Sequence, residues 1–153
     1  MTGTPALSDP RLTSLPHQVV RHGPVRSLEE AAAARGVTAA QVIKTIVVRR
    51  GPDDFLFILV PGDRSISWPK LRQHLGVNRI SMPDAGEALA VTGYERGTIT
   101  PLGATTPWPV VADRSMSGQV SIGGGAHGVS LSVDSSQLIA TLHASVADVT
   151  DPV

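Results

Sequence analysis

Apolar residues along this chain fall into short segments of two kinds. Four segments begin behind a polar capping residue and continue in helix-forming residues: Leu28–Arg35 behind Ser27, Trp68–Leu75 behind Ser67, Ala85–Val91 behind Asp84, and Ser135 to His143 behind Asp134. The capping oxygen accepts from free N–H groups of the opening turn, and Glu30 and Glu87 stand where a reciprocal cap needs them. Gly36, Gly76 and Gly93 follow the first three segments, where a left-handed residue ends a helix. In the fourth, Leu138, Ile139 and Leu142 share one face.

The second kind is β-branched. Ile43–Arg49 and Phe55–Val60 flank the turn residues Arg50-Gly51-Pro52-Asp53 and predict a hairpin, with Thr38 and Gln41 capping a single turn just before it. Thr98–Thr100, Val110–Ala112, Val120–Ile122 and Val129–Val133 are separated by Gly, Pro and polar turns, and predict a run of antiparallel strands. Residues 1–18 mix Pro, Ser and Thr without periodicity and predict a mobile leader running into a short strand near Gln18–Val20. Residues 19–150 then form one mixed α/β domain.

Composition narrows the class. A hydrophobic fraction of 41% in 153 residues supplies one packed core and little more. No apolar run approaches the roughly 20 residues of a membrane-spanning helix, and the N-terminus lacks a signal-peptide pattern, so a cytoplasmic protein with no membrane partner is expected. The absence of cysteine excludes disulfides, iron–sulfur clusters, thiolate zinc sites and a cysteine nucleophile. With 13 basic and 13 acidic residues the net charge is +0, so nothing global draws the chain to nucleic acid. Aromatic residues, at 3%, are too few for a base-stacking platform, and any RNA contact must be local or helped by a partner.

Three places could carry chemistry. Strand alternation puts Lys44 on the face of Ile46 and Val48. An ammonium there either points into a pocket for phosphate or carboxylate, or snorkels out from a strand end. Gly97-Thr98-Ile99-Thr100-Pro101 is a G-x-x-x-P element, which can present bare backbone groups to a ligand or simply turn after a helix. Gly123-Gly124-Gly125-Ala126-His127-Gly128 makes a backbone-rich bend with one titratable group, again a cradle or a turn. It is no phosphate-binding P-loop, because neither Lys-Ser nor Lys-Thr follows the glycines.

The five histidines form no i, i+4 pair beside a glutamate, so no catalytic metal is expected, and no motif calls for a cofactor. Asp113, Ser115 and His127 are the one set resembling a nucleophile, base and orienter, but no nucleophile elbow surrounds Ser115.

Three stretches together resemble the YbaK/EbsC family, related to the editing domain inserted in bacterial prolyl-tRNA synthetases. Gln41-Val42-Ile43-Lys44-Thr45-Ile46-Val47-Val48 is similar to the family's lysine and threonine at the start of a hydrophobic strand. Thr92 to Gly103 is similar to its helix exit and G-x-x-x-P loop, with Gly97 and Pro101 in the named positions. Gly123 to Gly128 is similar in place to its glycine-rich hairpin.

The resemblance implies a curved, mostly antiparallel sheet approaching a barrel and flanked by short helices. It also implies deacylation of mischarged aminoacyl-tRNA, a small amino acid such as Cys or Ala on tRNA-Pro. Lys44 would anchor the substrate at its 3′-terminal adenosine end, and backbone at Gly97 would position water or the tRNA 2′-hydroxyl. Thr45, Pro101, Gly124, Gly125 and His127 would bind substrate, and prolyl-tRNA synthetase would be a possible partner. A binding module without turnover, and a hydrolase or binder of a small nucleotide-like acyl compound, are the competing readings.

Overall fold

The predicted hairpin is the centre of the sheet in the computed structural model, which describes residues 3–153. In chain order the strands are β1 (His17–Arg21), β2 (Val42–Gly51), β3 (Asp54–Pro61), β4 (Arg64–Ile66), β5 (Val110–Asp113), β6 (Gln119–Gly123), β7 (Val129–Asp134), β8 (Ser145–Ala147) and β9 (Thr150–Pro152). The helices are α1 (Leu28–Arg35), α2 (Trp68–Leu75), α3 (Ala85–Thr92) and α4 (Ser135–Leu142). Each starts where the local chemistry requires: Ser27, Ser67, Asp84 and Asp134 accept from the N–H of Glu30, Lys70, Glu87 and Gln137.

Seven strands form one mixed sheet in the order β1-β7-β6-β2-β3-β5-β8, and β4 pairs with β9 in a small second sheet. The long ladders, β1–β7, β6–β7 and β2–β3, are antiparallel. The parallel contacts are short: β2–β6, β3–β5 and β5–β8. The sheet is mostly antiparallel, as expected, and does not close, leaving β1 and β8 as its edges.

Alternation along the strands feeds two cores. Ile43 and Val47 of β2 and Phe55, Phe57 and Leu59 of β3 join the core beneath α3 and α4. Val48, Leu56, Ile58 and Val60 face the other way, onto Leu71 of α2. At roughly 25 cal/mol per Å2 of apolar surface removed from water, these two clusters supply the main drive for folding.

Several expectations fail. Thr98–Thr100 is no strand, because Glu95 captures it: the Thr98 N–H and hydroxyl both donate to the Glu95 carbonyl, at 3.0 and 2.8 Å. Val110–Ala112 is a strand, but a parallel one against both β3 and β8, since long connections bring it alongside.

Nor do residues 3–15 lie loose as a leader. Ala6, Leu12 and Leu15 are buried in the main core, and Pro10–Ser14 is a 3-10 turn capped by Asp9. Residues 1 and 2 of the expected leader lie outside the described residues.

Candidate functional site

β2 runs beside β6 for only two residues, Val42 and Ile43 opposite Ser121 and Ile122, and then leaves it. At its far end Arg49 exchanges both backbone hydrogen bonds with Ser81, at 2.7 and 3.0 Å. Between these points the β2 edge is open. Arg49 turns its backbone groups away from β3, so the alternation of an antiparallel ladder turns those of Thr45 and Val47 into the same opening.

A cavity of about 520 Å3 occupies this window. Its floor is Val42 to Val47; Met82 to Ala88 form one side, the turn Gly123 to Val129 another, and Arg96 to Ile99 cross in front. His22, Val25 and Arg35 complete the wall near α1. The lining contains Arg35, Lys44, Arg96, His22 and His127, and neither Asp nor Glu. A neutral chain thus carries a cationic cavity.

Lys44 lies on the face of Ile46 and Val48, half-buried, and its Nζ donates to the Arg64 carbonyl at 2.9 Å. Two ammonium N–H groups remain for a ligand. The supporting carbonyl is itself held. Arg64 Nε donates to Thr150 Oγ1 at 2.6 Å and stands 3.7 Å from the buried Asp113 carboxylate.

Asp113 also accepts from the Val149 and Ser115 N–H groups and from the Ser115 hydroxyl. Burial pushes its carboxyl up, but these donors outweigh burial and hold it below the usual carboxylate range. The Asp113–Ser115 pair is therefore a structural brace rather than part of a triad, and His127 pairs elsewhere.

Gly97 has φ +91°, a region that favours glycine, and a Cβ there would sit 3.2 Å from His127 Cε1. The structure thereby brings Gly97 and His127 together at the mouth, where His127 Nε2 lies 3.5 Å from Glu95 Oε1. Both of those side chains are largely exposed.

Tyr94 spans the G-x-x-x-P loop from below, its hydroxyl donating to the Leu102 carbonyl at 2.6 Å. Burial, with a smaller push from the Asp9 charge, raises its pKa to about 12 and keeps it a donor.

Thr45 and Gly125 line the cavity with Lys44, Gly97 and His127. Pro101 and Gly124 do not: the Pro101 carbonyl accepts from Arg11 at 3.3 Å, and that of Gly124 from Thr4 at 2.5 Å. The glycine turn owes much of its composition to close packing. A Cβ at Gly128 would lie 2.4 Å from the His22 carbonyl oxygen, so only glycine lets β1 exit past it.

Sequence reasoning missed Arg35, His22, Val25, Met82 and Arg96. Arg35 carries no motif in the sequence and stands out only once the fold sets it in the same lining as Lys44. Among the described residues no group of three His, Asp or Glu side chains is placed to hold a metal ion, and no helix is long and apolar enough to cross a membrane.

The sequence and the fold both have relatives among known proteins. Residues 22–141 match the family model of the aminoacyl-tRNA editing domain. The chain is similar to the proline–tRNA ligase of Geobacter sp. (strain M21), 33% identical over 102 residues that cover 67% of this chain and 18% of the ligase. It is similar also to that of Thermosipho africanus (strain TCF52B), 36% identical over 80 residues, 52% of this chain and 14% of the ligase. It thus spans less than a fifth of the length of these curated relatives.

Among solved structures, a protein proposed to be a trans-editing enzyme for prolyl tRNA synthetase superposes with a TM-score of 0.85 at 24% identity, covering 99% of each chain. The hypothetical protein APE2540 gives a TM-score of 0.83 at 26% identity, covering 92% of this chain and 95% of its own.

Proposed function

Because this chain belongs to the aminoacyl-tRNA editing domain family, we propose that it is a trans-acting deacylase of mischarged aminoacyl-tRNA, removing a small amino acid such as Cys or Ala from tRNA-Pro. The observation that carries this reading is the cavity itself: cations without carboxylates, set against an open strand edge. That combination suits a phosphorylated nucleoside whose ester must be held by backbone groups.

In this reading Lys44 anchors the 3′-terminal nucleotide through its phosphate or ribose. Backbone groups at Gly97 and along the Thr45–Val47 edge orient the ester carbonyl and the attacking water, or the tRNA 2′-hydroxyl. Water forms the new bond to the acyl carbon and gives up a proton, the bond to the ribose oxygen breaks, and that oxygen takes a proton to leave tRNA and free amino acid. The 2′-hydroxyl can orient the water or relay its proton but does not replace it as the nucleophile. An aminoacyl ester is activated enough for orientation and oxyanion-type hydrogen bonds to supply the rate without a side-chain nucleophile.

Thr45, whose hydroxyl is buried without a partner, and Gly125 and His127 bind the aminoacyl end. Pro101 and Gly124 act from behind, by fixing the loop and the turn. The ligase relatives make prolyl-tRNA synthetase the natural partner for delivering tRNA, and the reaction belongs in the cytoplasm.

The test charges tRNA separately with Cys, Ala, Ser, Thr and Pro and follows ester loss with wild type and Lys44→Ala, each beside an enzyme-free control. Loss from one or two mischarged species, sparing Pro-tRNA and slowed on the order of 10²-fold or more by Lys44→Ala, is expected. Binding without turnover would leave a non-catalytic aminoacyl-tRNA module. Turnover of small acyl nucleotides alone would reassign the substrate.

A further inference from the structure

Buried polar atoms in folded proteins nearly always find a partner. Among the described residues four side-chain atoms do not: His22 Nε2, Arg35 Nε, Thr45 Oγ1 and Ser130 Oγ. Three of these residues line the cavity described above, and the fourth adjoins its lining residue Val129. Two of them, Arg35 and His22, belong to the wall near α1, and neither has a role in the mechanism above.

Arg35 closes α1. Its hydrogen bond is a long one, Nη1 to Ser121 Oγ at 3.3 Å, and no carboxylate pairs with it among the described residues. Burial lowers its pKa from the usual guanidinium value, yet a guanidinium keeps its charge at neutral pH, so a partly desolvated cation faces the cavity unneutralised.

Strand alternation explains the surroundings. Val120, Ile122, Leu131 and Val133 point into the core, which leaves Ser121 and Ser130 as buried hydroxyls on the other face, on the Arg35 side. At the exit of β1, His22 Nδ1 lies 2.8 Å from the Gly23 carbonyl. That bond requires the proton on Nδ1 and leaves Nε2 without a partner.

We propose that Arg35 and His22 form an anion subsite for the phosphate on the 5′ side of the terminal adenosine, leaving Lys44 to the ribose and its ester. This rests on the deacylase reading and sharpens it. The guanidinium fork matches two phosphate oxygens, and His22 Nε2 stands unpartnered on the same wall. The chemical class recognised is thus an adenosine that is acylated at its 3′ end and bears a phosphate at its 5′ end. The bare aminoacyl nucleoside is bound less tightly.

The experiment titrates the full chain with adenosine 5′-monophosphate, adenosine and inorganic phosphate, each on wild type, Arg35→Gln and Arg35→Lys, reading affinity by NMR shifts. In parallel, 3′-O-aminoacyl-adenosine with and without a 5′-phosphate is followed for ester loss. Wild type should prefer the monophosphate over adenosine by roughly tenfold or more, Arg35→Gln should erase that preference with adenosine affinity unchanged, and Arg35→Lys should keep part of it.

Equal binding of monophosphate and adenosine by wild type, or equal weakening of both by Arg35→Gln, would overturn the subsite. So would inorganic phosphate binding as tightly as the nucleotide. If the phosphate preference appears and depends on Arg35 while no ester is cleaved, the subsite stands and the deacylase reading falls. If ester is cleaved indifferently to the 5′-phosphate and to Arg35, the reverse holds.

Discussion

Replacing Asp9 by alanine should loosen the G-x-x-x-P loop from a distance, and the structure gives the size of the effect. The Asp9 carboxylate accepts from the Arg11 N–H at 2.9 Å, from Arg11 Nη2 at 2.7 Å and from the Gly103 N–H at 2.8 Å. Arg11 in turn reaches the Pro101 carbonyl, so one nearly buried carboxylate ties the N-terminal segment to the end of the loop.

A hydrogen bond to a charged group is worth about 1.5–3 kcal/mol, while the partly exposed Arg11 guanidinium adds under about 1 kcal/mol. Asp9→Ala should therefore cost about 2–3 kcal/mol, a fall in Tm of roughly 5–10 °C in a domain of this size.

The pH dependence has a definite sign. Burial pushes the Asp9 carboxyl up, but the Arg11 guanidinium and the N–H groups of Arg11 and Gly103 win and hold it below its ordinary value. A folded pKa below the unfolded one gives stability that is complete above about pH 4 and is lost as pH falls through the folded value. Thermal melts of wild type and Asp9→Ala from about pH 7 to about pH 3 should converge as the solution is acidified. Identical melting at neutral pH, or a gap that stays constant across the range, would refute the linkage between this carboxylate and the loop.

Gly97→Ala should destabilise the chain by about 1–2 kcal/mol from its φ alone, read as a shifted urea midpoint. Adding His127→Ala should restore little of that, because it removes the close contact and not the backbone strain. Asp113→Asn should cost about 2–3 kcal/mol by leaving Arg64, the buried Val149 N–H and the Ser115 N–H with a weaker acceptor. Its deficit should also shrink on acidification, since the Asp113 carboxyl is held low in the folded chain, and melts across the same pH range check this.

What the sequence makes legible here is what local chemistry decides. Each helix starts at its capping residue because cap and capped N–H lie within one turn, and the β2–β3 hairpin follows from one turn flanked by β-branched residues. Parallel neighbours such as β5, and strands as short as β4, β8 and β9, depend on where long connections return, and no periodicity encodes that.

The N-terminal clamp escaped for a related reason. Ala6, Leu12 and Leu15 are isolated apolar residues in a Pro-rich stretch, and their burial is visible only once a core exists to receive them. Lys44, Gly97 and the glycine turn stood out as motifs, whereas the opening that joins them exists because β2 leaves β6 after two residues.

Net charge excluded a global pull but could not place the local one. A count of 13 against 13 suggests no pull on a polyanion, but such a count is blind to where charges are neutralised. In the fold the carboxylates of Asp9, Asp54, Asp113, Asp148 and Asp151 are engaged in ion pairs away from the cavity, and those of Asp84 and Asp134 cap helices. Arg35, Lys44 and Arg96, by contrast, line the cavity and form no ion pair among the described residues. Folding thus separates charge that the sequence balances, and the attraction for a phosphorylated ligand is short-ranged and confined to the site. Under the proposed function, such a site would hold the end of a tRNA while ignoring its body, and would then need either a partner or a high substrate concentration to meet it.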